Sequence, residues 1–178
     1  MKTKIIIAGF GGQGIIVAGK LLACAAMREG KEVTHYPSYG AEMRGGTCNC
    51  AVIISDARIS SPIIGESDIT VVLNDPSKKK FENSIIKGGT LLMNSSLMEI
   101  ATTRSDLKTF SVKASEIAEE SGSVRSTNMA ILGALSKISS IVKMESLIGS
   151  LKEVFPNMND KLMDINIRAM KAGFEEVK

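Results

Sequence analysis

The sequence lacks tryptophan, contains a single histidine and is only 4% aromatic over its 178 residues. Surfaces that stack single-stranded nucleic acid need several aromatic side chains, so this scarcity argues against such a partner. The formal net charge is only +3 at pH 7. A polyanion-binding surface would need that small excess concentrated in one patch. We therefore expect no nucleic-acid partner.

Cysteine and long apolar runs are also scarce. The three thiols, at Cys24, Cys48 and Cys50, are an odd number and do not suggest a disulfide framework. No run approaches the roughly 20 apolar residues that span a bilayer. The basic, then apolar N-terminus resembles a signal peptide, but its apolar run stops at Gly9. These features predict a soluble cytoplasmic protein without membrane insertion.

The residue types that build metal centres and catalytic triads are sparse as well. Cys48 and Cys50 lie two apart on a predicted strand, which favours buried small side chains over a metal site. His35 is a candidate general base, although a histidine at a strand end more often makes a structural hydrogen bond. No partnered serine or cysteine nucleophile is evident. We expect no catalytic residue and no metal ligand in this chain.

The sequence does contain short apolar runs that alternate with helical patterns. The runs predict strands at residues 5–8, 33–36, 47–55, 69–73, 90–93 and 109–112. A helix over 15–27 would complete a βαβ unit with the first two strands, and a short helix begins near Pro76. The last third predicts three helices, the third with the apolar stripe Met163, Ile167, Met170, Phe174 and Val177. This pattern predicts one α/β domain over residues 1–178, with a doubly wound, mostly parallel, Rossmann-like sheet, flanking helices and a helical C-terminal third.

A glycine loop, Gly9-Phe10-Gly11-Gly12-Gln13-Gly14, lies between the first predicted strand and helix. It matches the G-x-G-x-x-G pattern of dinucleotide sites, whose backbone amides and helix dipole favour an anion. Such sites also need an acidic residue at the end of strand two, whereas Glu29 and Glu32 precede that strand. The loop therefore favours an anion or phosphate more than NAD. The alternative is a tight turn that binds no ligand.

A second unusual segment, Pro37 to Thr47, leaves the carboxyl end of strand two at the same predicted sheet edge. It carries three glycines and three side chains suited to a ligand, namely Gly40, Gly45, Gly46, Tyr39, Glu42 and Arg44. The planar guanidinium of Arg44 suits a phosphate or carboxylate bound through two hydrogen bonds. The other interpretation is an internal pair of Glu42 and Arg44 that stiffens a subunit contact.

Three motifs together resemble a known family. The glycine loop, the segment Ser38-Tyr39-Gly40-Ala41-Glu42-Met43-Arg44-Gly45-Gly46-Thr47 and the run Asn128-Met129-Ala130-Ile131-Leu132-Gly133-Ala134 are similar to the gamma subunit of 2-oxoacid:ferredoxin (or flavodoxin) oxidoreductases. The resemblance spans most of the chain and is strongest to the 2-oxoglutarate branch. The branched-chain and pyruvate enzymes stay open as alternatives.

The resemblance implies a complex that converts 2-oxoglutarate and coenzyme A to succinyl-CoA and carbon dioxide while it reduces ferredoxin or flavodoxin. Thiamine diphosphate with magnesium would lie between alpha and beta partner subunits, and iron–sulfur clusters on partners such as a ferredoxin-like delta subunit. The gamma subunit would support assembly and be inactive alone. We hypothesise that coenzyme A contacts the signature positions Gly9, Gly11, Gly12, Gln13, Gly14, Ser38, Tyr39, Gly40, Glu42, Arg44, Gly45 and Gly46.

Two rival functions remain at this point. One is a free-standing nucleotide-binding oxidoreductase that uses the glycine loop directly. The other is a purely structural scaffold that coenzyme A never contacts. The run Lys78-Lys79-Lys80 predicts a solvated helix face, with an electrostatic contact to an acidic ferredoxin as its alternative.

Overall fold

The computed structural model describes residues 1–39, 47–99 and 101–177. Its strands are β1 (Lys2–Phe10), β2 (Glu32–Tyr39), β3 (Thr47–Ser55), β4 (Ser67–Val72), β5 (Ile85–Asn94) and β6 (Lys108–Val112). Its α-helices are α1 (Ile15–Arg28), α2 (Asp75–Phe81), α3 (Ala114–Glu120), α4 (Thr127–Ser139), α5 (Met144–Val154) and α6 (Asp160–Glu176). Single turns of 3₁₀-helix occupy Glu82–Ser84, Ser95–Leu97 and Val124–Ser126.

The six strands form one sheet in the order β2-β3-β1-β4-β5-β6. The pairs β1/β4, β4/β5 and β5/β6 are parallel, while β3 runs antiparallel to both of its neighbours, β1 and β2. The predicted mainly parallel α/β sheet with flanking helices and a helical C-terminal part is confirmed. The predicted βαβ unit is present, because β1 and β2 both run antiparallel to β3 and are therefore parallel to each other, but β3 lies between them in the sheet. A connection as short as residues 40–46 suits an antiparallel neighbour, whereas a parallel one needs a longer crossover.

Several element boundaries differ from the sequence prediction. β2 extends through Pro37, which is tolerated because β2 is an edge strand. β5 begins at Ile85, five residues before the run that predicts it. The short helix α3 was not predicted, since its seven residues offer little apolar periodicity.

The hydrophobic core divides between the two faces of the sheet. The larger cluster joins alternate residues of the strands, such as Ile5, Ile7 and Val52, to the apolar sides of α1, α4 and α5. The smaller cluster contains Val72, Leu91 and Met93, which lie on the opposite face. Helix α2 lies against β1 and β4. Helices therefore cover the sheet next to the end of β1, where the glycine loop begins.

The predicted solvated lysine face is wrong at one of its three positions. Lys79 and Lys80 are exposed, but Lys78 is only 2% exposed. Its Nζ lies 3.4 Å from a carboxylate oxygen of Glu82 and donates a hydrogen bond of 2.9 Å to the carbonyl of Ala101. Lys78 therefore connects α2 to the segment between β5 and β6 and does not face a partner.

The chain reverses its direction across the sheet beside β1. From β1 it continues to β2 on one side, while β4, β5 and β6 follow one another on the other side. In open α/β sheets, ligand crevices form at such a switch point, outside the carboxyl ends of the strands. The glycine loop follows β1 and Asn74 follows β4, so both lie at this switch point.

Candidate functional site

The glycine loop is a tight connection between β1 and α1. Gly12 and Gly14 have φ values of 99° and 72°, a left-handed conformation that glycine adopts without strain. The backbone N–H of Gln13 donates to the carbonyl of Phe10 at 3.2 Å, and Ala18 donates to the carbonyl of Gly14 at 2.9 Å. The loop therefore passes directly from the strand into the first turn of the helix.

Two of the loop's glycines leave room for side chains of the protein itself. A Cβ at Gly9 would lie 2.6 Å from Oε1 of Gln13, and one at Gly14 would lie 2.4 Å from Nδ2 of Asn128. A Cβ at Gly12 would meet no atom within 4 Å. Gly9 and Gly14 are therefore explained by internal packing, and the open backbone for a ligand is at Gly12.

Three amide side chains surround this loop. Oε1 of Gln13 accepts hydrogen bonds from the backbone N–H of Phe10 at 2.6 Å and from Nδ2 of Asn74 at 3.2 Å. Oδ1 of Asn74 accepts from the backbone N–H of Ser77 at 2.9 Å and thereby caps α2. Nδ2 of Asn128, in the first turn of α4, donates to the carbonyl of Gly14 at 3.1 Å. The loop is thus attached to α2 on one side and to α4 on the other.

A cleft of about 220 Å³ opens beside the loop and is lined by Gly12, Gln13, Leu97, Val124, Arg125 and Thr127. Its apolar wall is exposed, with Leu97 52% and Val124 60% accessible to solvent. Arg125 is also exposed and forms no salt bridge with any part of the chain that the structure describes. The cleft therefore combines an apolar wall with an unpaired guanidinium and an open glycine backbone.

The helices α1 and α4 both begin at this cleft, and their N-termini lack compensating charge. Neither has an acidic residue in its first turn or a side-chain cap. The other four α-helices within the described residues each carry one acidic residue there, namely Asp75, Glu116, Glu145 and Asp160. Because helix N-termini carry partial positive charge, two uncompensated N-termini beside Arg125 favour an anion.

The structure places Ser38 and Tyr39 at the same sheet edge as the glycine loop, but they do not line the cleft. Phe10 of β1 pairs with Thr47, and Tyr39 of β2 pairs with Cys48, so β1 and β2 end together. Ser38 is exposed near the end of β2, which β3 separates from β1. The remaining predicted positions, Gly40, Glu42, Arg44, Gly45 and Gly46, lie outside the described residues.

Sequence reasoning missed several residues of the site, among them Val124 of its apolar wall. Asn74, Leu97 and Arg125 come from separate loops, and no local pattern marks them as neighbours of the glycine loop. Asn128 lies in the third family motif, and nothing in that motif indicates a contact with the glycine loop. Its contact with Gly14 is the tertiary link between the first and third motifs.

His35 and Cys50 lie together under α1, away from the cleft. A Cβ at Gly19 would be 2.8 Å from Nε2 of His35 and 2.5 Å from Sγ of Cys50. Burial, followed by the Lys20 ammonium, lowers the pKa of His35 below its ordinary value of 6.5. Burial, with a smaller effect of Cys48, raises the pKa of Cys50 to about 12. Cys50 is therefore a protonated core thiol at neutral pH and not a nucleophile.

Nε2 of His35 is buried and has no hydrogen-bond partner among the described residues. The structural hydrogen bond expected of a strand-end histidine is therefore not formed by this atom. Within residues 1–39, 47–99 and 101–177, no three His, Cys, Asp or Glu side chains gather closely enough to hold a metal ion. In the same residues, no helix is both long and apolar enough to cross a bilayer.

Comparison with known proteins identifies the family. The model of the family described as pyruvate ferredoxin/flavodoxin oxidoreductase matches residues 4–176. The chain belongs to this family. It is 33% identical to the 2-oxoglutarate synthase subunit KorC of Methanocaldococcus jannaschii over 181 aligned positions, which cover 100% of this chain and 95% of that protein. The resemblance to the gamma subunit is confirmed.

Other relatives are longer than this chain. The ketoisovalerate oxidoreductase subunit VorA of Methanothermobacter marburgensis is 36% identical over 97% of this chain. The chain spans only 36% of the length of that relative. The family domain therefore occurs both as a subunit of this size and within longer subunits.

Solved structures share the fold over nearly the whole chain. The gamma subunit of a keto/oxoacid ferredoxin oxidoreductase from Geobacter sulfurreducens PCA has a TM-score of 0.87 and 28% identity, and covers 99% of this chain and 96% of its own. The 2-oxoglutarate:ferredoxin oxidoreductase from Magnetococcus marinus, solved with 2-oxoglutarate, coenzyme A and succinyl-CoA bound, also has a TM-score of 0.87. It is 26% identical, and the match covers 97% of this chain and 30% of that chain.

Proposed function

We propose that this chain is the gamma subunit of a thiamine-diphosphate-dependent 2-oxoacid:ferredoxin oxidoreductase complex. The complex converts a 2-oxoacid, coenzyme A and two oxidised ferredoxins to acyl-CoA, carbon dioxide, two reduced ferredoxins and a proton. Alpha and beta partner subunits hold the thiamine diphosphate and magnesium, and partner subunits hold the iron–sulfur clusters. 2-Oxoglutarate is the substrate that we place first, and ketoisovalerate is the alternative favoured by the VorA relatives.

We further propose that the chain contributes to the binding of coenzyme A at the cleft beside the glycine loop. The observation that carries this proposal is the convergence of Arg125, which forms no salt bridge with a described residue, with the uncompensated N-termini of α1 and α4. Coenzyme A carries phosphate groups that suit this positive charge, and a guanidinium binds phosphate through two hydrogen bonds.

The apolar side of the cleft supports the same ligand class. Leu97 and Val124 are exposed large side chains next to the guanidinium. Coenzyme A joins its phosphates to a long, mostly uncharged pantetheine arm, so an apolar wall beside an anion site suits both parts. A simple inorganic anion would not require this wall.

Substitution of Arg125 tests the contact in the assembled complex. We expect Arg125→Ala to raise the Michaelis constant for coenzyme A about tenfold with little change in kcat, because it removes a charge-assisted hydrogen bond. Arg58→Ala is the matched control, since Arg58 is exposed after β3 at the opposite edge of the sheet. Equal Michaelis constants for the wild-type and Arg125→Ala complexes would contradict the contact.

Affinity purification tests the assembly itself. We expect thiamine-binding partners to co-purify with the tagged chain in near-stoichiometric amounts. The purified complex should then decarboxylate one member of a panel of 2-oxoglutarate, pyruvate and branched-chain 2-oxoacids in a coenzyme A-dependent assay. Recovery of the chain without such partners would refute the proposed function.

A further inference from the structure

Gln13 lines the cleft, but its side-chain oxygen is bound to the protein itself. Its Oε1 accepts one hydrogen bond from the backbone of Phe10 and one from the side chain of Asn74. An amide oxygen has two lone pairs, and these two bonds use both of them. Oε1 of Gln13 is therefore not available to bind a ligand.

Asn74 has two separate hydrogen bonds, and only one of them concerns its own helix. Oδ1 caps α2, while Nδ2 crosses the switch point between β1 and β4 to reach Gln13. Serine and aspartate cap helices about as well as asparagine does, but neither has an amide donor. The cap at α2 therefore does not require asparagine, whereas the contact with Gln13 does.

We propose that Gln13 and Asn74 are positioning residues that hold the glycine loop in the conformation that receives coenzyme A. This inference rests on the coenzyme A contact proposed above. Gly12 has no side chain and an open backbone, so the loop needs external contacts to keep one conformation. If the loop is held before coenzyme A arrives, less conformational entropy is lost on binding, and affinity rises without a change in the chemical step.

Two neutral substitutions test this role. Asn74→Ser keeps a side-chain cap on α2 and removes the donor to Gln13, while Gln13→Leu removes the acceptor at similar size. Asn159→Ser is the matched control, because Asn159 caps α6 through the same kind of bond, from the N–H of Leu162 at 2.9 Å. The measurements are the Michaelis constant for coenzyme A and kcat of each assembled complex, and amide hydrogen exchange at Phe10 in the isolated chain.

We expect Asn74→Ser and Gln13→Leu each to raise the Michaelis constant about three- to tenfold, with kcat changed by less than about twofold. Both should also speed amide exchange at Phe10, and Asn159→Ser should change neither quantity. Wild-type exchange at Phe10 in both variants would overturn the proposal. The proposal would also be overturned if both variants kept the wild-type Michaelis constant while Arg125→Ala raised it. That result would still support the contact with coenzyme A.

A different set of results would contradict the coenzyme A contact itself. If exchange at Phe10 is faster but neither Arg125→Ala nor the two positioning variants change the Michaelis constant, the contact with coenzyme A is wrong. The positioning role toward coenzyme A is then overturned with it, because the loop is held but not for this ligand.

Discussion

At the scale of single residues, the half-buried ring of His35, with its buried Nε2, is the most unusual feature outside the cleft. It lies on β2 against Gly19 of α1, and the absence of a Cβ on that glycine gives the ring and Cys50 their space. Without a hydrogen-bond partner for Nε2 among the described residues, the neutral ring is favoured over the charged one. His35 lies against Gly19 and does not line the cleft, so it is not placed to act as a general base there.

His35 should make the stability of the isolated chain depend on pH. Its pKa is lowered in the folded state, so the unfolded chain binds the proton first as the pH falls below about 6.5. The free energy of unfolding should therefore decrease from pH 6.5 down to the lowered folded-state pKa and then level off. Urea unfolding at several pH values, for the wild type and His35→Gln, measures this.

The difference between the wild type and His35→Gln reports on this side chain alone, because His35 is the only histidine in the sequence. Carboxylates titrate at lower pH in both proteins, so their contribution cancels in the difference between the two curves. Parallel pH dependence for the wild type and His35→Gln would show that His35 is not responsible.

At the scale of elements, the crossing of α4 and α6 depends on two glycines. A Cβ at Gly133 would lie 1.9 Å from the carbonyl oxygen of Met170, and one at Gly173 would lie 2.0 Å from that of Ala130. The predicted apolar stripe on α6 faces the core, since Met170 and Val177 are buried and Met163 and Ile167 are half-buried against the core cluster. The buried residues within α6 are Ile165, Asn166, Ala169, Met170 and Gly173, and of these Gly173 makes the close backbone contact with α4.

Gly133→Ala should destabilise the chain by about 3 kcal/mol, because backbone atoms of α6 must move to admit the methyl group. Gly149→Ala on α5 is the control with the same gain in helix propensity. The three atoms nearest to its added Cβ all belong to the guanidinium end of Arg28, at 2.8 to 2.9 Å, and that flexible end can shift. Thermal or urea unfolding of both variants measures the difference, and equal stability of the two would contradict the account of the crossing.

The same crossing also supports the cleft. Oδ1 of Asn166 on α6 accepts a hydrogen bond of 2.7 Å from Ser126, the residue before α4. Ser126 directly follows Arg125, so α6 helps to fix the turn that carries the guanidinium. A loss of α4–α6 packing should therefore affect the cleft as well as the stability.

At the scale of the whole molecule, strand order distinguishes this fold from a dinucleotide-binding domain. Neighbouring strands lie about 4.8 Å apart, so the inserted β3 puts β2 about 10 Å from β1. In a dinucleotide site, an acidic residue at the end of the adjacent second strand binds the ribose. Here Glu32 is at the opposite end of β2, where it pairs with Ser55, and Glu29 accepts a hydrogen bond from Lys143.

We expect the purified chain to show no saturable binding of NAD, NADP or FAD, since the ribose contact is missing and β2 is displaced. Isothermal titration of each nucleotide into the chain measures this, with coenzyme A titrated into the assembled complex as the positive comparison. Saturable binding of NAD that depends on the glycine loop would favour a free-standing nucleotide-binding oxidoreductase instead.

The sequence identified part of the candidate site. The glycine loop is local in the chain, so its position between a buried strand and a helix could be predicted from a few residues. Arg125, Leu97 and Asn74 could not, because they approach the loop only when β1, β4 and β5 pair and α4 packs against α1. Gln13 was predicted as a ligand contact, and its inward hydrogen bonds favour a positioning role instead.

The sequence alone determined the class of fold, the strand positions near the glycine loop and the family, because these depend on local periodicity and on short motifs. Only the tertiary structure decided that β3 separates β1 from β2, that Lys78 is buried, and that α6 contacts α4 through its glycine face. Each of these depends on contacts between residues far apart in the chain, which carry no local pattern. The same holds for the candidate site. The sequence shows few aromatic residues and a nearly balanced charge, but it does not show that the N-termini of α1 and α4 converge beside Arg125.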